Sequence, residues 1–160
     1  MALGDNTLRS AAGNSQRGRN PYMVQTTLNW ATALSDKGSA LAASDVIPVI
    51  AVPKGTMVLN AGIEVDTATD GSTFTVDLGM VDADLFVDGF DATSAAAVVA
   101  QNPAAYQPVM AVADDNIDVT IATLSGGAVS SGKFRVWAVL MDCTDMGDMA
   151  ANEVDRDTLA

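Results

Sequence analysis

The chain has 160 residues, with 20 acidic side chains against 8 basic ones, no histidine and one cysteine. That length suits one domain with extensions, and a net charge of −12 opposes binding to nucleic acid or to anionic membranes. The absence of histidine removes the commonest general base and metal ligand, and the lone Cys143 excludes an internal disulfide.

Residues 1–20 form a polar arm holding Arg9, Arg17 and Arg19, three of the eight bases. Its glycines, asparagines and serines disfavour an isolated helix, and it lacks the apolar core of a signal peptide. No apolar run reaches membrane-spanning length, so synthesis in a cytoplasm is expected. The arm reads either as a flexible terminus or as a basic tether that orders against a partner.

Residues 22–30 alternate as a first strand. Residues 31–44 are ambiguous between a short alanine-rich helix and a loop. Residues 46–52 read as a strand that Pro48 confines to an edge or a bulge. Pro53, Lys54 and Gly55 make a turn, because proline sets φ and glycine accepts positive φ. Residues 56–66 follow with Met57, Leu59, Ala61, Ile63 and Val65 at odd positions, the period-two pattern of a half-buried strand. Turn residues at 69–72 precede another strand, with Phe74, Val76 and Leu78 on one face. The two segments together read as a hairpin.

Residues 80–91 are rich in acids and aromatics and suggest a loop with a short strand. Asp82, Asp84, Asp88 and Asp91 are the one candidate calcium-binding set. They lack the EF-hand spacing and its terminal glutamate, so ordinary acidic-loop chemistry is the favoured reading and no metal or cofactor is assigned. Residues 92–101 fit a short helix or an apolar loop. Residues 110–113 suggest a short strand. Asp114 and Asp115 are adjacent on an extended chain and point apart, which suits a turn better than a paired-carboxylate active site. Residues 116–124 alternate with Ile117, Val119 and Ile121 inward. Residues 133–141 carry apolar side chains on both faces, the mark of a central strand or of one that meets a neighbouring subunit. Cys143 is expected to be a buried thiol. The acidic stretch from Asp142 reads as a solvated tail.

Seven to nine short strands separated by Gly, Pro and Asp turns are the signature of a β-sandwich, jelly roll or small barrel; the expectation is an all-β domain, a β-sandwich or jelly roll, with a flexible N-terminal arm. The expected boundaries are 1–21 for the arm, 22–145 for the sandwich and 146–160 for the acidic tail. No serine-histidine pair, P-loop or dinucleotide fingerprint is present, and the chain is expected not to be an enzyme.

The stretch from Val52 to Val65, VPKGTMVLNAGIEV, resembles the P-x-G-T-x-V-x-x-x-G-x-x-V hairpin of decoration, cement or head-stabilisation proteins of tailed bacteriophages. Thr75-Val76-Asp77-Leu78-Gly79, the run from Asp84 to Gly89, and the run from Gly132 to Asp142 extend the resemblance over residues 46–142. These motifs shape turns and strands, and the family has no catalytic residues to carry over. The resemblance implies a β-sandwich or jelly roll that forms homotrimers and binds the major capsid protein on the outer capsid surface, cementing adjacent capsomers. The alanine-rich stretch at 92–105 and the long arm depart from simpler members. The candidate capsid contacts are then Arg9, Arg17 and Arg19, and the candidate subunit contacts are Phe86, Phe90, Trp137 and Met141. Two other classes stay open: a tail or head-fibre component with a receptor- or glycan-binding role, and a metal-dependent hydrolase built on the 82–91 loop.

Overall fold

The computed structural model describes residues 20–95, 98–100, 108–127 and 129–143. Among them, in chain order, lie β1 (Tyr22–Asn29), α1 (Trp30–Lys37), β2 (Val46–Val52), β3 (Thr56–Thr67) and β4 (Thr73–Gly79). There follow β5 (Val87–Asp91), β6 (Val98–Ala100), β7 (Val109–Met110), β8 (Asp115–Ser125) and β9 (Lys133–Asp142).

Pairing between strands is nested. β1 pairs β9, β2 pairs β8, β3 pairs β6 and β7, and β4 pairs β5, all antiparallel. Folding this nest over itself places β1-β9-β3-β6 in one sheet and β2-β8-β4-β5 in the other, with β7 beside β3 in the first. This strand order is that of a jelly roll, so the β-sandwich expectation holds. Short β6 and β7 share one edge of β3, at Gly62 to Glu64 and at Met57 to Val58.

The core lies between the sheets, filled by the alternating inward faces. Ile117, Val119 and Ile121 come from β8, Phe134, Val136, Ala138 and Leu140 from β9, and Phe74, Val76 and Leu78 from β4, all buried. Each of these apart from Ala138 contributes roughly 1.5–3 kcal/mol on burial. Trp30 stands edge-on to Phe74 at 4.9 Å and to Phe134 at 5.2 Å between ring centroids, a favoured aromatic geometry.

Trp30 is also the first residue of α1, one position earlier than the strand reading allowed. The Asn29 side chain accepts a hydrogen bond from the Ala31 N–H at 3.0 Å, an N-cap that stops β1 and starts the helix. Gly38, at φ 68°, ends it and donates its N–H to the carbonyls of Leu34 and Ser35, as a left-handed C-cap requires. Eight residues are too few for a helix to persist alone; buried Trp30, with Ala33 and Leu34 packed on the core, anchors this one.

Pro48 sits on the outermost strand of its sheet, beside a register shift between Pro48 and Ile50, as its missing N–H demands. Three expectations are revised. First, β3 and β4 do not pair; they lie in opposite sheets. Both bury one face in the same core, and that pattern serves a sheet-to-sheet corner as well as a hairpin. Second, the register of β3 on β9 shifts between Val58 and Asn60. This bulge reverses the phase: Thr56 and Val58 are buried before it and Ala61, Ile63 and Val65 after it, while Met57 belongs to the outer face. Third, residues 98–100, expected within a short helix or an apolar loop, form a strand.

Candidate functional site

Alternation along β9 sends Arg135, Trp137, Val139 and Met141 to the outer face of the larger sheet. On β1, Met23 lies opposite Val139 and Gln25 opposite Trp137. On β3, Met57 lies opposite Met141, Gly62 opposite Trp137 and Glu64 opposite Arg135. The result is an apolar band of Met23, Met57, Trp137, Val139 and Met141 across three adjacent strands. Met23 is 59 % exposed. Trp137 and Met141 are half-buried. Gly62, the β3 residue in register with Trp137, contributes no side chain to this face. The band ends at an ion pair between the Arg135 guanidinium and the Glu64 carboxylate, 3.0 Å apart.

Phe86 and Phe90, expected beside Trp137 and Met141, lie elsewhere. Phe86 is fully buried, and Phe90 is half-buried and packed on the core. Phe86 donates its N–H to the Leu78 carbonyl at 2.8 Å, and this tie turns the residue inward. It is a core residue and has no surface to offer a neighbour. Arg9, Arg17 and Arg19 lie outside the described residues, as does most of the acidic tail. Cys143 is half-buried, not fully buried, and its N–H donates to the Gly55 carbonyl.

The four acids at 82–91 have separate duties. Asp82 and Asp84 share a hydrogen bond that, with their mutual repulsion, pushes the Asp82 carboxyl up. Asp91 accepts from the Thr93 hydroxyl and N–H at 2.7 and 2.9 Å, and these bonds hold its carboxyl down. Asp88 is exposed on β5. Among the described residues no group of three or more His, Cys, Asp or Glu is placed to hold a metal ion. Asp77, not singled out in the sequence, lies on the outer face of β4 and accepts from the Gly89 N–H at 2.7 Å; partial burial pushes its carboxyl up despite that bond.

Asp114 and Asp115 are also divided. Asp114 accepts from the Lys54 N–H at 2.9 Å and so fastens the 53–55 turn, while Asp115 accepts from the Asn116 N–H. These carboxylates complete turns, and they do not face one another across a substrate cleft. What the domain offers chemically is surface: an apolar sheet face, and acidic loops at its end.

No protein-family model matches the chain, and no curated protein does. Chains of known structure do share its fold. A chain from the capsid of Ralstonia phage GP4 superposes with a TM-score of 0.58 at 16 % identity, covering 79 % of this chain and 86 % of its own. A chain from the capsid asymmetric unit of Cyanophage Pam1 gives 0.60 at 17 % identity, covering 88 % of this chain and 97 % of its own. At these identities the likeness is one of fold: the jelly roll described above occurs in the capsid structures of both phages.

Proposed function

We propose that this chain is a structural protein of a phage virion that sits on the outer capsid surface and cements adjacent capsomers. The observation that carries the reading is the apolar outer face of the larger sheet, on a domain whose fold recurs in phage capsid structures. In water, a band such as Met23, Met57, Trp137, Val139 and Met141 is a contact surface awaiting a partner. On this reading the partner is another copy of the chain, in a homotrimer, with Trp137 and Met141 at the contact. The basic arm, through Arg9, Arg17 and Arg19, grips the major capsid protein.

The mechanism is adhesive. Apolar area removed from water contributes about 25 cal/mol per Å², and association offsets much of that. A single subunit therefore binds modestly. Copies linked as an oligomer and spread over a lattice bind far more tightly, because each further contact forms at high effective concentration.

The reading is tested by electron microscopy of purified particles of the phage that encodes the chain, with and without its gene. Outer knobs that vanish with the gene, and particles that then burst at lower temperature, are the expected result. Intact, equally stable particles lacking the chain in both cases, or density for it in the tail alone, would refute it.

A further inference from the structure

A groove of about 380 Å³ opens at one end of the sandwich, between the 80–85 loop and the 109–115 segment. Its walls are largely apolar, and three of its residues are among the most open hydrophobic side chains described: Val81 is 95 % exposed, Val112 82 % and Met110 38 %. Asp82, Asp114 and Asp115 stand along its rim. Isolated exposed valines need no explanation. Two on separate loops that share a groove form a contact site. Its occupant has to present aliphatic groups to the walls and positive charge to the rim.

We propose that the chain's own N-terminal segment, residues 1–19, lies in this groove in the unassembled protein. Three observations select it. The first is position. Tyr22, Leu140, Val58 and Val109 form one row across β1, β9, β3 and β7, so the arm leaves β1 at the end of the sheet where the groove lies. Three strand spacings separate β1 from β7, about 14 Å, which roughly five extended residues span. Leu8 and Arg9 are then well within reach.

The second is charge. The arm carries Arg9, Arg17 and Arg19 against the single Asp5, a match to the carboxylates of the rim. The described residues hold only four bases, Lys37, Lys54, Lys133 and Arg135, and Lys37 and Arg135 are already paired with Asp45 and Glu64. The third observation excludes the other terminus. Residues 144–160 leave β9 nearer to the groove, but they carry Asp145, Asp148, Glu153, Asp155 and Asp157 against Arg156 alone. The acidic rim repels that segment.

The same arginines cannot hold the groove and a capsid at once, so the groove is their seat before assembly. This inference needs no capsid and stands or falls separately from the cementing role.

The test uses the full-length chain with a photoreactive benzoylphenylalanine at Val112. Illumination of dilute protein, followed by digestion and mass spectrometry, is expected to give adducts on residues 1–19 of the same molecule. Adducts only on other residues, only between molecules, or none at all, would overturn the inference. A second readout is tryptic cleavage after Arg17 and Arg19. In the double variant Asp82→Lys, Val112→Asp, shown to be folded by circular dichroism, cleavage is expected to accelerate at least about tenfold, because the arm is released more often. An unchanged rate would overturn it equally.

Discussion

Asp70 and Ser130, sixty residues apart in sequence, are bonded twice: the Ser130 N–H donates to Asp70 Oδ1 at 2.9 Å and its hydroxyl donates to Oδ2. The Ser131 N–H adds a third bond at 3.1 Å. One carboxylate thereby ties the β3–β4 corner, where the chain crosses between sheets, to the loop before β9. These bonds hold its carboxyl down at about 2. A depressed folded-state value means that the contribution to stability is complete above the unfolded-state value, about 3.9, and fades as pH falls toward 2. The site is open to solvent, so Asp70→Ala is expected to cost only about 1 kcal/mol at pH 7. Thermal melts of both proteins from pH 7 to pH 2 should show that gap closing on acidification. A gap independent of pH would mean that the carboxylate charge is irrelevant to the tie.

Gly79 closes β4 where the chain turns beneath the 80–86 loop. A methyl group there would run into the Asp82 carbonyl oxygen and the Ala83 backbone. That loop is held by the Met80 and Leu85 N–H groups, which both donate to the Asp82 carbonyl, so it cannot yield without losing bonds. Gly79→Ala is expected to destabilise by about 1–3 kcal/mol. Gly89, at φ 62° with open space around its Cα, is the control: its alanine variant incurs only the left-handed backbone penalty, about 1–2 kcal/mol. Denaturant melts decide between them. Equal cost with no disturbance of the loop, seen in amide exchange at Met80 and Leu85, would refute the steric argument.

Much of this architecture was legible because strands announce their faces. Residues 117–121 and 134–140 alternate without interruption, and each apolar set is buried as the period predicts. The two-sided apolarity of β9 pointed correctly to a central strand. Features that depend on distant partners were not legible. The bulge at Leu59 breaks the phase of β3 without changing its composition. Residues 92–101 read as a short helix or an apolar loop, yet Val98–Ala100 form β6, because these β-favouring valines meet an edge of β3 to pair with, a partner that sequence alone does not reveal. For the candidate surfaces, the period on β9 placed Trp137 and Met141 on its outer face, where they lie half-buried. Phe86 was misplaced because a loop has no period to say which way it faces, and the exposed Val81 and Val112 went unremarked for the same reason.

The two tryptophans separate folding from association. Trp30 is fully buried against Phe74 and Phe134, so Trp30→Ala is expected to cost about 3–5 kcal/mol. Trp137 stands on the outer face, and Trp137→Ala is expected to change monomer stability by about 1 kcal/mol or less. Under the proposed subunit contact, its effect belongs in sedimentation velocity, as dissociation at concentrations where the native protein self-associates. If Trp137→Ala unfolds the chain, or leaves an established oligomer intact, the sheet face is not the subunit contact.

Asp118 works in the opposite direction from Asp70. It lies on the outer face of β8, between Pro48 on β2 and Gly79 on β4, and its Oδ1 is buried with no hydrogen-bond partner among the described residues. Burial first, and then repulsion from Asp115, push its carboxyl up. A raised folded-state value means the native protein binds this proton more tightly than the unfolded chain does. The ionised group therefore destabilises the fold at neutral pH, and the penalty is relieved as pH falls through the folded-state value toward the unfolded one. Asp118→Asn removes the charge and keeps the shape. It is expected to stabilise the domain at pH 7 by about 0.5 kcal/mol, a figure reduced by solvent screening, and to lose that advantage near pH 3. Melts of Asp118→Asn and Asp70→Asn across the same range should diverge in sign at pH 7, and a common sign would show that the desolvation assigned to Asp118 does not govern its titration.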